Sequence, residues 1–196
     1  MAPTESAFVW EEVLLDLKER GVEEVLLFIT DGLKGITDRI FAVFPDAKYQ
    51  ACCVHLSRGI AHKVRVTDRK EICEDFKSVY RAESRELGEE ALKAFVVKWK
   101  TTYPKVTQSL ESNPFIFTFY DSPKSIWRSI YSTNLIESFN KGIKKYSKRK
   151  EQFPNEDSLD RFLVSQFEIY NQNFFTRCHN GFDQARAELT AMSKEA

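Results

Sequence analysis

Val25-Leu26-Leu27-Phe28-Ile29 is an unbroken apolar run, closed by Thr30 and an Asp31-Gly32 pair. A half-exposed strand would alternate apolar and polar residues, so this run suits a strand buried on both faces of a parallel sheet. Parallel strands need a crossover connection, and the chain supplies one. Ile36, Ile40, Val43 and Phe44 recur at helical spacing, and Pro45 closes that helix. Residues 48–54 then read as a second strand, which ends at His55. Strand, helix and strand in this order predict a right-handed βαβ unit. Asp31 and His55 then stand at the carboxyl ends of neighbouring strands, the edge at which open α/β sheets bind ligands. Asp-Gly is also a common turn pair, so Asp31 is read at this point as either a turn residue or a ligand-facing carboxylate.

Helices surround this unit. Residues 6–20 carry an apolar stripe of Trp10, Val13, Leu14 and Leu17, with Gly21 as a stop. From Leu56 to about Pro123 only helices are expected, the clearest being residues 87–100 with Leu92, Phe95, Val96 and Trp99 inward. Pro104 suits the first turn of another. Charges in this block are mixed and form a solvated face, without a catalytic pattern. Beyond Pro154, Asp157 or Ser158 is expected to cap a helix with Leu159, Phe162, Leu163, Phe167 and Tyr170 inward. Residues 180–196 read as a weakly held polar helix. The chain thus divides into 1–55, 56–125 and 126–196.

The third part opens on Tyr131-Ser132-Thr133-Asn134, a polar turn rich in helix-capping residues. Ile136, Phe139, Ile143 and Tyr146 follow at helical spacing and predict a buried stripe. Glu137 lies off that stripe, and Lys141, Lys144 and Lys148 share its face. Two roles fit Glu137. In a capping box, Asn134 caps and Glu137 reaches back to the cap N–H. Alternatively, Glu137 is a metal-binding carboxylate beside a row of phosphate-binding lysines.

Charge distribution bears on that choice. The 196 residues have no net charge, which taken alone argues against a simple nucleic-acid binder. Yet residues 124–150 hold eight Lys or Arg and one Glu, +7 in 27 residues, and the remainder sums to −7. A basic strip in an otherwise acidic chain marks a local anion-binding surface, here Lys141, Lys144, Lys145, Lys148 and Arg149. Cys52, Cys53, Cys73 and Cys178 form no disulfide framework, which points to an intracellular setting, cytoplasmic in a prokaryote. No apolar run approaches the roughly 20 residues of a membrane span, and the first residues carry no signal-peptide pattern. Cys52 and His55 fit a buried thiol and a polar strand-end residue, a hydrogen-bonding pair beside an active site, or two ligands of a zinc site completed by Cys178 and His179. His62 reads as a surface residue and Trp127 as core.

Three features align in order: Asp31 at a strand end, Gln50-x-Cys52-x-x-His55 at the next, and Glu137 at a helix start. With Asp31-Gly32-Leu33-Lys34-Gly35, Phe44-Pro45, the Tyr131-to-Asn140 stretch and Phe153-Pro154, the chain resembles the Mutator-type family of insertion-sequence transposases over nearly its whole length. The resemblance implies a ribonuclease H-like (integrase-type) α/β core with an all-helical insertion at about 56–123. It implies that Asp31 and Glu137 are the second and third carboxylates of an Asp-Asp-Glu triad holding Mg²⁺ or Mn²⁺. Cys52 and His55 would be the family's Cys-x-x-His pair, with His55 near the scissile phosphate, and Asn134 part of the motif around Glu137. Implied partners are DNA, as transposon ends and target, and a second copy of the chain. The family's first catalytic aspartate belongs to a strand ahead of the 6–20 helix. The expectation is therefore an N-terminally truncated core, a transposase fragment inactive alone in the family's DNA cleavage and strand transfer. The alternative is a non-catalytic DNA-binding or interaction remnant. Residues 25–29 would face an open sheet edge and promote self-association.

Overall fold

The computed structural model describes residues 7–150 and 152–195. Ser6, the expected start of the first helix, lies outside the described residues, as do the first five residues and Ala196. Helix α1 (Ala7–Glu19) leads into strand β1 (Leu27–Thr30), helix α2 (Ile36–Val43) and strand β2 (Lys48–Ala51). The two strands are parallel, with Leu27 opposite Lys48 and Thr30 opposite Ala51, so the expected βαβ unit is present. Gly32 has φ +91°, a left-handed conformation that only glycine adopts without cost, and it turns the chain away directly after Asp31.

Two expectations about this unit need correction. β1 is half-buried along its whole length rather than enclosed, because β2 is its only partner strand among the described residues. Of the α1 stripe only Leu14 is buried; Trp10 and Val13 stay exposed and border a groove beside β1. α1 is held to α2 by polar bonds as well, from Lys18 Nζ to the Val43 carbonyl (2.9 Å) and from Arg39 to Glu11 (2.8 Å). Leu14, Ile36, Ile40, Val43, Phe44 and Tyr49 form one small core between α1, α2 and the sheet.

The second strand is also shorter than expected. It stops at Ala51, and helix α3 (Cys53–Lys63) begins two residues later. His55 therefore sits in the first turn of a helix and not at a strand end. Cys53, Ile60 and Val64 are buried at helical spacing, and their burial outweighs the strand preference of a short Cys-Cys-Val run. The Cys53 N–H leaves the sheet direction and donates to the Tyr131 carbonyl at 2.9 Å.

Helices α4 (Arg69–Tyr80), α5 (Arg85–Trp99) and α6 (Pro104–Glu111) follow, as the sequence pattern predicts. Ser84 caps α5 through its side chain, and Pro104 opens α6. Their core, larger than the first, is built on Ile72, Phe76, Val79, Phe95, Ile116 and Phe119. Gln50 fastens this block to the sheet. Its fully buried amide donates to the Ile116 carbonyl at 3.0 Å and accepts from the Phe119 N–H at 2.8 Å. Trp127 packs edge-on against Phe119 and Tyr120 and donates to the Ser122 carbonyl, so it is core, as the sequence reading has it.

Helix α7 (Trp127–Ile130) is one turn, and α8 (Asn134–Ser147) carries the Glu137 motif. α9 (Glu156–Phe174) is capped by Asn155, whose Oδ1 accepts from the Ser158 N–H, rather than by Asp157 or Ser158 themselves. α10 (Phe182–Glu195) is better held than expected. Ala185 is fully buried, and Ser125 Oγ donates to the Gly181 carbonyl at 2.9 Å. No helix among the described residues is long and apolar enough to cross a membrane.

Candidate functional site

The ends of β1, β2 and the 131–133 turn meet at Cys52. Its N–H donates to the Thr30 carbonyl at 2.9 Å, which keeps the strand pair in register to its last residue. Its buried sulfur accepts the Thr133 N–H at 3.3 Å and lies 3.2 Å from His55 Nδ1 and 3.5 Å from Thr133 Oγ1. Cys52 and His55 are three residues apart at the start of α3, a spacing that turns both side chains towards the same neighbour. That neighbour is Thr133, the N-cap residue of α8.

Thr133 then fixes Glu137. Its hydroxyl reaches Glu137 Oε1 at 3.1 Å and His55 Nδ1 at 3.3 Å. His55 Nε2 stands 3.6 Å from the same carboxylate oxygen. Arg58 closes the cluster. Its Nη1 lies 3.3 Å from both Glu137 oxygens and 3.3 Å from His55 Nε2, and its Nη2 lies 3.4 Å from Glu137 Oε2. Burial alone would push the Glu137 carboxyl up. The Thr133 hydroxyl bond and the Arg58 guanidinium, helped by His55, outweigh it and hold the group below the usual carboxylate range.

These contacts displace the capping box. Glu137 does not reach back to a cap N–H; Thr133, not Asn134, occupies the cap, and Asn134 is the exposed first residue of α8. A carboxylate surrounded by a hydroxyl and a guanidinium gains more from those partners than from one backbone N–H.

Asp31, His55 and Glu137 line one groove of about 670 Å³, together with Trp10, Thr133 and Asn140. Asp31 is exposed on its turn and makes no hydrogen bond or ion pair among the described residues. Carboxylate oxygens are the ligands that hard divalent cations choose. The Arg58 guanidinium already stands as a cation beside Glu137, and Asp31 and Glu137 are the two carboxylates of the groove that could hold such an ion. No group of three or more His, Cys, Asp or Glu poised to hold a metal occurs among the described residues. In particular, Cys178 is exposed and does not join Cys52 and His55 in a zinc site.

Lys141, Lys144, Lys145, Lys148 and Arg149 are all exposed and form no ion pair among the described residues. Lys148 and Arg149 belong to the short 3-10 turn Lys148–Lys150 that follows α8. The expected buried stripe of α8 is not buried. Phe139 stacks on Phe167 and meets Tyr170 edge-on, but Ile136 is 54% exposed and faces the groove. Arg58 escaped the sequence reading. Its signal was the i, i+3 spacing from His55, visible only once residues 53–63 are taken as a helix.

The family model described as "Transposase, Mutator family" matches residues 1–176. The chain is 46% identical over 192 residues to the transposase for insertion sequence element IS905 of Lactococcus lactis, covering 98% of this chain and 49% of that protein. The transposase for insertion sequence element IS1201 of Lactobacillus helveticus is 42% identical over 171 residues, 87% of this chain and 46% of that protein. The transposase for insertion sequence element ISRM3 of Rhizobium meliloti is 35% identical over 162 residues, with 82% and 40% covered. The chain spans about half the length of these relatives or less.

Proposed function

Because the chain belongs to the Mutator family of transposases, we propose that it carries part of the apparatus for metal-dependent phosphoryl transfer on DNA. Asp31 and Glu137 are the carboxylates and α8 is the phosphate-binding element. The observation that carries this reading is the sharing of one groove by Asp31, His55 and Glu137, with an unpaired basic row on the Glu137 helix. The β1-α2-β2 unit is read as part of a ribonuclease H-like sheet, and α4 to α6 as its helical insertion.

Bound Mg²⁺ or Mn²⁺ would activate an attacking oxygen and stabilise the leaving oxygen of a phosphodiester. The chain's own residues prepare for this in separate ways. Thr133 and His55 hold Glu137 in one orientation, so little reorganisation is left for the moment of reaction. Lys141, Lys144 and Lys145 neutralise phosphates along one strand. His55, whose Nε2 lies 3.6 Å from Glu137 Oε1, would share a hydrogen bond with a phosphate oxygen. A second reading, favoured by the exposed basic row on α8, is that the described residues bind DNA and do not cut it.

Nicking of supercoiled DNA in Mn²⁺ separates the two. Activity in the native chain that is lost in both Asp31→Ala and Glu137→Ala supports phosphoryl transfer. Salt-sensitive DNA binding without nicking in any of them supports the binding remnant. Absence of DNA binding refutes both.

A further inference from the structure

Arg58 is held by no acidic group other than Glu137 among the described residues. The two Glu137 oxygens differ. Oε1 is shared by the Thr133 hydroxyl, Arg58 Nη1 and nearby His55, whereas Oε2 is met only by the Arg58 guanidinium. Removing Arg58 would leave Oε1 anchored through Thr133 and expose Oε2 to the groove. A divalent cation would bind a carboxylate oxygen at about 2.0–2.6 Å, and the Arg58 guanidinium at 3.3–3.4 Å from Oε2 opposes it there by repulsion of like charge and by engaging that oxygen's lone pairs. The side chain of Arg58 is half exposed, so it has room to leave. A displaced guanidinium on α3 remains at the groove. Its planar fork suits a phosphate as well as a carboxylate.

We propose that Arg58 is a positioning residue that guards Glu137 Oε2, that it and a divalent cation exclude one another there, and that the displaced guanidinium pairs with a DNA phosphate. This rests on Glu137 being a metal-binding carboxylate. The arrangement couples two ligands. DNA that draws Arg58 away frees Oε2 for the cation, and by reciprocity the cation frees Arg58 for DNA. In the absence of both, the carboxylate keeps a counter-ion and a fixed rotamer. The site is thereby protected from loading a cation before DNA arrives.

Mn²⁺ binding, followed by the loss of the free-ion electron paramagnetic resonance signal, tests this without any turnover. The proteins are native, Arg58→Gln, Arg58→Lys and Glu137→Gln, each with and without a short DNA duplex. An exposed ion pair shifts an equilibrium by up to about fivefold, so Arg58→Gln should bind Mn²⁺ about three- to fivefold more tightly than native in the absence of DNA. DNA should raise the Mn²⁺ affinity of the native protein and leave that of Arg58→Gln unchanged. Arg58→Lys keeps the charge without the fork and should fall between them. If Arg58→Gln and native bind Mn²⁺ equally, while Glu137→Gln binds less, the Arg58 proposal fails and the metal role of Glu137 stands. If Mn²⁺ binding does not depend on Glu137 in any variant, both fail. The thermal midpoint of Arg58→Gln, read alongside, shows whether the variant is folded.

Discussion

Loss of Gln50 should damage this fold well beyond its single side chain. Its amide is fully buried and spans the junction between β2 and the 116–119 segment, which leads on to α7 and the Glu137 helix. Gln50→Leu keeps the volume but removes the bonds to the Ile116 carbonyl and the Phe119 N–H. Ile116 and Phe119 are themselves 0% and 1% exposed, so water cannot replace the lost partner. The Phe119 N–H is left unpaired and the Ile116 carbonyl keeps, among the described residues, only the weak Cys53 thiol at 3.8 Å; at about 1–3 kcal/mol per unpaired buried group, with part recovered by the apolar leucine, a net loss of about 2–4 kcal/mol is expected. In a chain of this size each kcal/mol moves the thermal midpoint by about 2–4 °C, which gives a fall of roughly 5–15 °C. Calorimetry measures it directly. A second readout should follow, because the same segment positions α8: Glu137-dependent Mn²⁺ binding should weaken at temperatures where Gln50→Leu is still folded. A fall of less than about 2 °C would refute the reasoning, since it would mean that the unpaired groups find other partners at no cost.

Other tests address separate parts of the molecule. Replacing Lys141, Lys144 and Lys145 together by Gln should lower the slope of log affinity against log salt for duplex DNA by roughly 2–3, about 0.9 per phosphate contact; an unchanged slope in fluorescence anisotropy would remove α8 from the interface. Glu137 has a lowered folded-state carboxyl, so its ion pair stabilises the protein above the ordinary carboxylate range and is lost as pH falls through the lowered value. The difference in thermal midpoint between native and Glu137→Gln should therefore shrink on acidification below about pH 4, the unfolded carboxylate range, and a difference that grows would reverse the assignment. With Ellman's reagent, exposed Cys178 should supply the fast phase, while Cys53 stays silent because burial pushes its thiol far up; Cys178→Ser should abolish that phase. The edge of β1, which has no partner strand among the described residues, should make this chain associate with increasing concentration, and a monodisperse monomer in sedimentation at high concentration would contradict that.

The sequence made the βαβ unit legible because its signals were local: an apolar run, a helical repeat closed by proline, and a short second strand. It also singled out Asp31, His55 and Glu137, which the structure brings to one groove. It misjudged what lay between them. Cys52-Cys53-Val54 is apolar and β-branched enough to pass for strand, and only the burial of Ile60 and Val64 farther on shows that the helix has already begun. Arg58 stayed hidden for the same reason. Periodicity also reports which residues share a face but not what covers that face. Ile136, Phe139, Ile143 and Tyr146 do share one, yet Ile136 and Tyr146 remain largely exposed. In α10 the error ran the other way. A polar sequence gave no sign that Gly181, with φ +86°, lets the backbone close on Ser125, where any Cβ would fall 1.9 Å from a carbonyl oxygen.

The two carboxylates of the groove are built to different standards, and the difference has a consequence. Glu137 is fixed through a chain of bonds that begins in the sheet: Thr30 to Cys52, Cys52 to Thr133, Thr133 to Glu137. Cys52 and Thr133 are each held by an element other than their own, and Thr133 caps the helix that carries Glu137, so Glu137 is placed before any ligand arrives. Asp31 has no such support. It rides on a glycine turn after a half-buried strand whose outer edge has no partner among the described residues. On the proposed reading, a cation shared between them would have to offset the ordering of Asp31 and the displacement of Arg58 from Glu137. Both costs fall if something first occupies the groove and the free edge of β1. Cation affinity in this protein is thus expected to depend on what lies in the groove more than on the identity of the two carboxylates.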